Sequence, residues 1–174
     1  MESFLSKSFT ILRGVVYSAA FVWLWTWLAI SIRPLDTQLA LSLPIWLRPL
    51  GFAVGSAGAL LAGSCIVTFV TKGRGTPAPF DPPREFVASG PYRYVRNPMY
   101  LGAAAVILGA GLAISSPSIV MLALAFLLIT HLFVVVYEEP ALANKFGVSY
   151  QRYSSSVHRW LIRKPKSNPI RGVD

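Results

Sequence analysis

Three stretches of the chain contain no Asp, Glu, Lys or Arg: Gly14 to Ile32, Pro49 to Thr71 and Asn97 to Tyr137. A bilayer core of about 30 Å takes about 20 apolar residues at roughly 1.5 Å of helix rise each. The first two stretches each match one crossing. The third is about twice that length and is broken by Ser115-Ser116-Pro117-Ser118, a turn signal. The sequence therefore predicts an all-α integral membrane protein with four transmembrane helices, over about 14–32, 49–71, 99–115 and 119–137. The 174 residues form one domain on this reading. Charged residues make up only 13% of the chain, against about 25% in soluble domains.

The cations are unevenly distributed over that topology. Fourteen of the 16 Lys and Arg residues fall before span one, between spans two and three, or after span four; Arg33 and Arg48 are the exceptions. Excess Lys and Arg marks the cytoplasmic side. Both termini and the 72–97 loop are therefore expected to be cytoplasmic, with the protein in a cell inner membrane or the endoplasmic reticulum. The net charge of +9 is a topology signal, and no soluble basic fold for nucleic acid is visible. The apolar run of span one is longer than a signal-peptide core and is expected to stay as a span. Cys65 lies inside span two with no metal-binding set around it and reads as a packing residue.

Small residues mark helix contacts. Gly51 and Gly55, and Gly55 and Ala59, have the spacing that lets helix backbones approach closely, within the bundle or in a dimer. Gly102 to Ala105 and Gly109 to Gly111 give span three a smooth surface, suited to packing or to a shallow groove. Trp23, Trp25 and Trp27 point around span one and suit lipid contact. The loop Lys72 to Pro98 is rich in Gly and Pro, and its aromatic and basic residues at 84–96 argue for function. After span four, Ala141 to Gly147 reads as a short helix stopped by Gly147. Tyr150, Tyr153, Val157 and Trp160 then recur at amphipathic spacing. With Arg152, Arg159, Arg163 and Lys164, that C-terminal amphipathic helix is expected on the cytoplasmic membrane surface, or folded as a lid over spans three and four.

Polar chemistry concentrates at the two ends of the third stretch. One end is Tyr92-Arg93-Tyr94-Val95-Arg96-Asn97-Pro98-Met99-Tyr100; the other is Tyr137-Glu138-Glu139-Pro140. Carboxylates beside hydrocarbon are costly and are usually partnered and functional. A helix C-terminus also favours cations, so Glu138 and Glu139 stand against the helix dipole. Arg84, Arg93, Arg96, Arg152 and Arg159 are available as partners.

The run from Ser89 to Gly102 resembles the Arg-His/Asn-Pro-x-Tyr-x-Gly motif of the isoprenylcysteine carboxyl methyltransferase family. Glu138-Glu139-x-x-Leu142, then Phe146-Gly147-x-x-Tyr150-x-x-Tyr153-x-x-x-Val157-x-Arg159-Trp160, resembles that family's C-terminal signature. The related phospholipid N-methyltransferases share the Asn-Pro-Met-Tyr-x-Gly and Tyr-Glu-Glu-Pro forms. The likeness covers about residues 84–161, and spans one and two match only as generic apolar helices.

The resemblance implies an S-adenosylmethionine-dependent methyltransferase with a cofactor-binding region over about 84–161. Phe86, Val87, Gly90, Tyr92, Asn97, Pro98, Met99 and Tyr100 would bind cofactor from the loop and motif. Glu138 and Glu139 would take its amino or ribose groups. Glu139 and Arg159 are the candidates for a catalytic part, and no metal is implied. Two departures bear on the acceptor. Asn97 stands where the prenylcysteine branch commonly has His, and Phe133 to Val136 hold no Arg before the Glu pair. The partners implied are membrane lipids and a lipophilic or lipidated acceptor.

Methyl transfer from a sulfonium is an in-line displacement governed by positioning. A carboxylate acceptor is already nucleophilic when water is excluded; an amine must first lose a proton, to a Glu or to His131. The plainer part for His131 is a packing residue bonded across helices. Two further readings accompany the carboxyl methyltransferase-like one: a phosphatidylethanolamine-type N-methyltransferase, and a non-catalytic membrane scaffold of the same fold.

Overall fold

The computed structural model describes residues 4–40, 42–73 and 87–162, and every regular element among them is helical. In chain order these are α1 (Phe4–Ile32), α2 (Pro34–Gln38), α3 (Arg48–Thr68), α4 (Pro98–Ala113), α5 (Pro117–Phe133) and α6 (Glu139–Ser156). α3 runs on through a π-helical turn, Phe69–Gly73, and α5 through another, Val134–Glu138. A short 3-10 turn, Gly90–Arg93, precedes α4.

Among the described residues, three helical segments are long and apolar enough to cross a membrane: Val16–Gln38, Ile45–Thr68 and Pro117–Ser156. α4 is apolar but has 16 residues, about 24 Å at the usual rise.

α3 and α4 form the most extensive contact, and glycine is the reason. A Cβ on Gly58 would lie 2.7 Å from the Gly102 carbonyl oxygen, and one on Gly102 would lie 2.9 Å from the Gly58 oxygen. One on Gly109 would meet Gly55 Cα at 2.5 Å. The two glycine rows face each other in antiparallel order, so the small residues of α3 serve packing within the bundle. Gly63 has nothing within 4 Å and lies off that seam.

The Ser115–Ser118 turn reverses the chain into α5. Ser115 is left-handed, at φ 57°. Ser116 caps α5, its hydroxyl accepting from Ile119 N at 3.4 Å and donating to the Asp36 carboxylate. Asp36 also accepts from Ser118 N at 2.8 Å. An anion thus sits where orphan N–H groups and the helix dipole favour one. Asp36→Ala is expected to lower stability by about 1 kcal/mol, read as a lower thermal midpoint in detergent, with Thr37→Ala as an unaffected control.

α1 leans on α5 through Trp25, whose ring meets that of Phe126 edge-on at 4.7 Å, while Trp23 and Trp27 are exposed. At the other end of the bundle, Gly147 is non-helical at φ 53° and kinks α6 into two helical pieces, so the helix over 141–147 breaks at the glycine expected to stop it. The helix stops at Ser156, and Val157 is extended. Residues 157–160 therefore form a strap outside the helical period that Trp160 had been expected to continue. Tyr150, Tyr153 and Val157 turn inward on Ala88, Leu142 and Phe146, so this face covers the protein.

Candidate active site

The two halves of the polar motif meet at the end of the bundle where α3 and α5 pass into π-helical turns. Such turns change the register of the side chains that follow, and they recur at functional sites. Glu138 ends the second of them and Glu139 opens α6, and the two take different partners.

Glu138 Oε2 accepts from the Tyr100 hydroxyl at 3.0 Å. Tyr100 is on the first turn of α4, where Pro98 at N1 starts the helix without needing an N–H partner. Glu139 is bound by two arginines. Arg159 Nε and Nη2 each donate to one of its oxygens at 2.8 Å, a bidentate fork. Arg96 Nη1 reaches Oε1 at 3.0 Å. The Glu139 carboxylate holds the Arg159 guanidinium above its ordinary pKa.

The strap is tied down along its length. Arg96 N donates to His158 O at 2.9 Å, and Asn97 Nδ2 donates to Arg159 O at 3.2 Å. Asn97 makes no side-chain cap to α4; its amide is used on the strap. The Tyr153 hydroxyl donates to Tyr92 O at 2.6 Å. Tyr92 itself is packed on Cys65 and Val87, and burial beside Cys65 pushes its phenol well above the ordinary value.

Between these elements lies an open groove. Phe69, Val87, Tyr92 and Val134 supply apolar walls; Asn97, Glu138, Glu139 and Arg96 supply polar ones. Arg96 is the only cation among the lining residues. Its Nε is buried and unpartnered, the one such side-chain nitrogen or oxygen among the described residues. A buried donor left unmade is costly, and a ligand oxygen would relieve it.

The predicted residues divide into walls and supports. Val87, Tyr92, Asn97, Glu138 and Glu139 line the groove, and Tyr100 bonds to Glu138. Pro98 is fully buried, and Met99 packs against the Cys65, Val87 and Tyr92 cluster. Gly90 makes a turn at φ 59° over Thr68, whose Oγ1 would lie 2.7 Å from any Cβ there. Phe86 lies outside the described residues. Sequence reasoning missed Phe69, Val134 and Leu142 as lining residues. Phe69 and Val134 open the two π-helical turns. Their placement at the ends of apolar helices, level with the polar motifs, was the signal available. His131 is half-buried, and its partner is the strap: Trp160 Nε1 donates to its Nδ1 at 2.9 Å.

The family model for phospholipid methyltransferases matches residues 50–149, more than half of the chain. The match runs from α3 into α6 and so takes in both polar motifs. No curated protein and no solved structure matches the chain. The chain belongs to the phospholipid methyltransferase family, which is related to the isoprenylcysteine carboxyl methyltransferases.

Proposed function

We propose, for this member of the phospholipid methyltransferase family, S-adenosylmethionine-dependent methyl transfer to a lipophilic acceptor, with the groove as the cofactor site. One observation carries the reading: a carboxylate, an aromatic wall and an arginine with an unmet donor converge on one groove at the end of an apolar bundle. That set fits the cofactor, which has an ammonium and a ribose for a carboxylate, a flat base for aromatic walls, and a carboxylate for arginine.

S-adenosylmethionine supplies the methyl group on a sulfonium. The chain's part is to bind, orient and exclude water. Glu138 is the carboxylate best placed for cofactor, since its described partner is a single neutral hydroxyl. Glu139 and Arg159 satisfy each other, so their contribution is to hold the strap against the residues that line the groove. Asn97 contributes through the same strap.

The proposed topology is four crossings in one domain, with α4 as the third and both termini cytoplasmic. Its support is the distribution of cations and the placement of the groove at the end that carries most of them. The acceptor would approach from the bilayer beside these helices.

For the acceptor, the tail signature at Tyr150 to Trp160 favours a carboxylate, as in the isoprenylcysteine carboxyl methyltransferases. The family match and a carboxylate in the groove able to accept a proton favour an amine instead. Membranes containing the protein, incubated with methyl-tritiated S-adenosylmethionine, decide between them. Label in lipid that mild base releases as methanol indicates an ester; base-stable label on a phospholipid headgroup indicates an amine. No protein-dependent label in the lipid fraction would count against the function.

A further inference from the structure

We propose that His131 is a positioning residue for the groove: through Trp160 it fixes the strap that lays Arg159 on Glu139. The inference rests on the reading of the groove as a cofactor site and adds a residue outside its walls.

The bond is chemically one-directional. An indole N–H donates only, so His131 Nδ1 accepts and carries no proton, which leaves its hydrogen on Nε2. His131 is therefore a neutral acceptor in this arrangement. Its ring centroid lies 6.0 Å from that of Trp160.

The position of this bond on the strap gives it leverage. Val157 to Trp160 has no helix or strand of its own to hold it. Two of its ties, at His158 O and Arg159 O, go to the loop before α4. The Arg159 side chain goes to Glu139. Among the described residues Trp160 is the last with a tie to the rest of the protein, and Leu161 and Ile162 beyond it are 71% and 76% exposed. A bidentate guanidinium–carboxylate fork tolerates little displacement. Arg159 is flanked on one side by the His158 tie and on the other by Trp160. Removing the His131 bond leaves Arg159 held at its own carbonyl and at His158, with no described tie on its C-terminal side. The strap then populates open positions, and cofactor affinity falls in proportion to the closed fraction.

The test uses the full chain in lipid nanodiscs, with His131→Phe, Trp160→Phe, the double variant and His131→Asn. Asn places an acceptor oxygen at the same distance from Cα as Nδ1. Hydrogen exchange is followed over 157–160, and S-adenosylhomocysteine affinity is measured by calorimetry. A lost neutral hydrogen bond predicts about a five- to tenfold weaker affinity in each single variant. The double variant should be no weaker than either single, since both remove the same bond. His131→Asn should restore most of the affinity, and faster exchange should be confined to the strap while α3 and α4 stay protected. A residue that only fills space would give additive losses and no rescue by Asn, and that result overturns the inference. So does binding by the unmodified protein with unaffected variants. Failure of the unmodified protein to bind S-adenosylhomocysteine overturns the cofactor reading and the positioning role together.

Discussion

Glu139→Gln is expected to weaken cofactor binding roughly thirtyfold and to lower the thermal midpoint as well. Gln keeps the size of the side chain but removes the charge that Arg96 and Arg159 share. Two guanidinium groups then face one neutral amide. Hydrogen bonds to charged groups are worth about 1.5–3 kcal/mol, and partial exposure reduces this, so about 2 kcal/mol is expected to be lost. Most of that loss falls on strap closure, and an open strap reduces affinity by the closed fraction. Glu139→Asp keeps the charge on a shorter arm and should be intermediate. Glu138→Gln gives the useful contrast, because the side chain still accepts from Tyr100. It should lose cofactor affinity with little change in midpoint. Equal midpoints and equal affinities for Glu139→Gln and the unmodified protein would show that the ion cluster does not hold the strap.

Gly109→Leu is expected to abolish the folded protein altogether. The first carbon of any side chain at 109 would sit 2.5 Å from Gly55 Cα and 2.7 Å from Gly51 O. Those are backbone atoms of α3, so no rotamer relieves the clash and the helices must separate. Overpacking a core typically costs about 1–3 kcal/mol where side chains can adjust; here they cannot. The consequence reaches the site, because the turn that continues α3 carries Phe69 to the groove and α4 carries Tyr100 to Glu138. Gly63→Ala is the control. It has open space and, by helix propensity, should be neutral or stabilising by about 0.5–1 kcal/mol. The monodisperse fraction after detergent extraction reads both. A folded, cofactor-binding Gly109→Leu would refute the close approach of α3 and α4.

Much of this was legible in the chain because it is local. Uncharged runs locate apolar helices, and the Ser115–Ser118 cluster marks the turn between α4 and α5. Glycine rows signal a close helix contact, although the sequence leaves open whether the partner is the bundle or another copy. The Asn97–Tyr100 and Glu138–Glu139 motifs point to one end of the molecule because a hairpin returns to the side it left. What was not legible depends on pairs far apart in sequence. Nothing near Asp36 says that it caps α5, and nothing near Trp160 says that it donates to His131. Glu138 and Glu139 divide at the end of a π-helical turn, Val134–Glu138, which an apolar run of valines does not announce. The amphipathic period of α6 was visible, but the direction it faces is set by Ala88 and Tyr92, from the other side of the site.

The most direct measurement is calorimetric titration of the purified protein, in lipid nanodiscs, with S-adenosylhomocysteine. Saturable binding at one site per chain is predicted, weakened by Tyr100→Phe and weakened further by Glu138→Gln, the two side chains joined at the groove. No binding to a folded, monodisperse protein, or binding that both substitutions leave unchanged, would contradict the placement of the cofactor between Tyr100 and the glutamate pair.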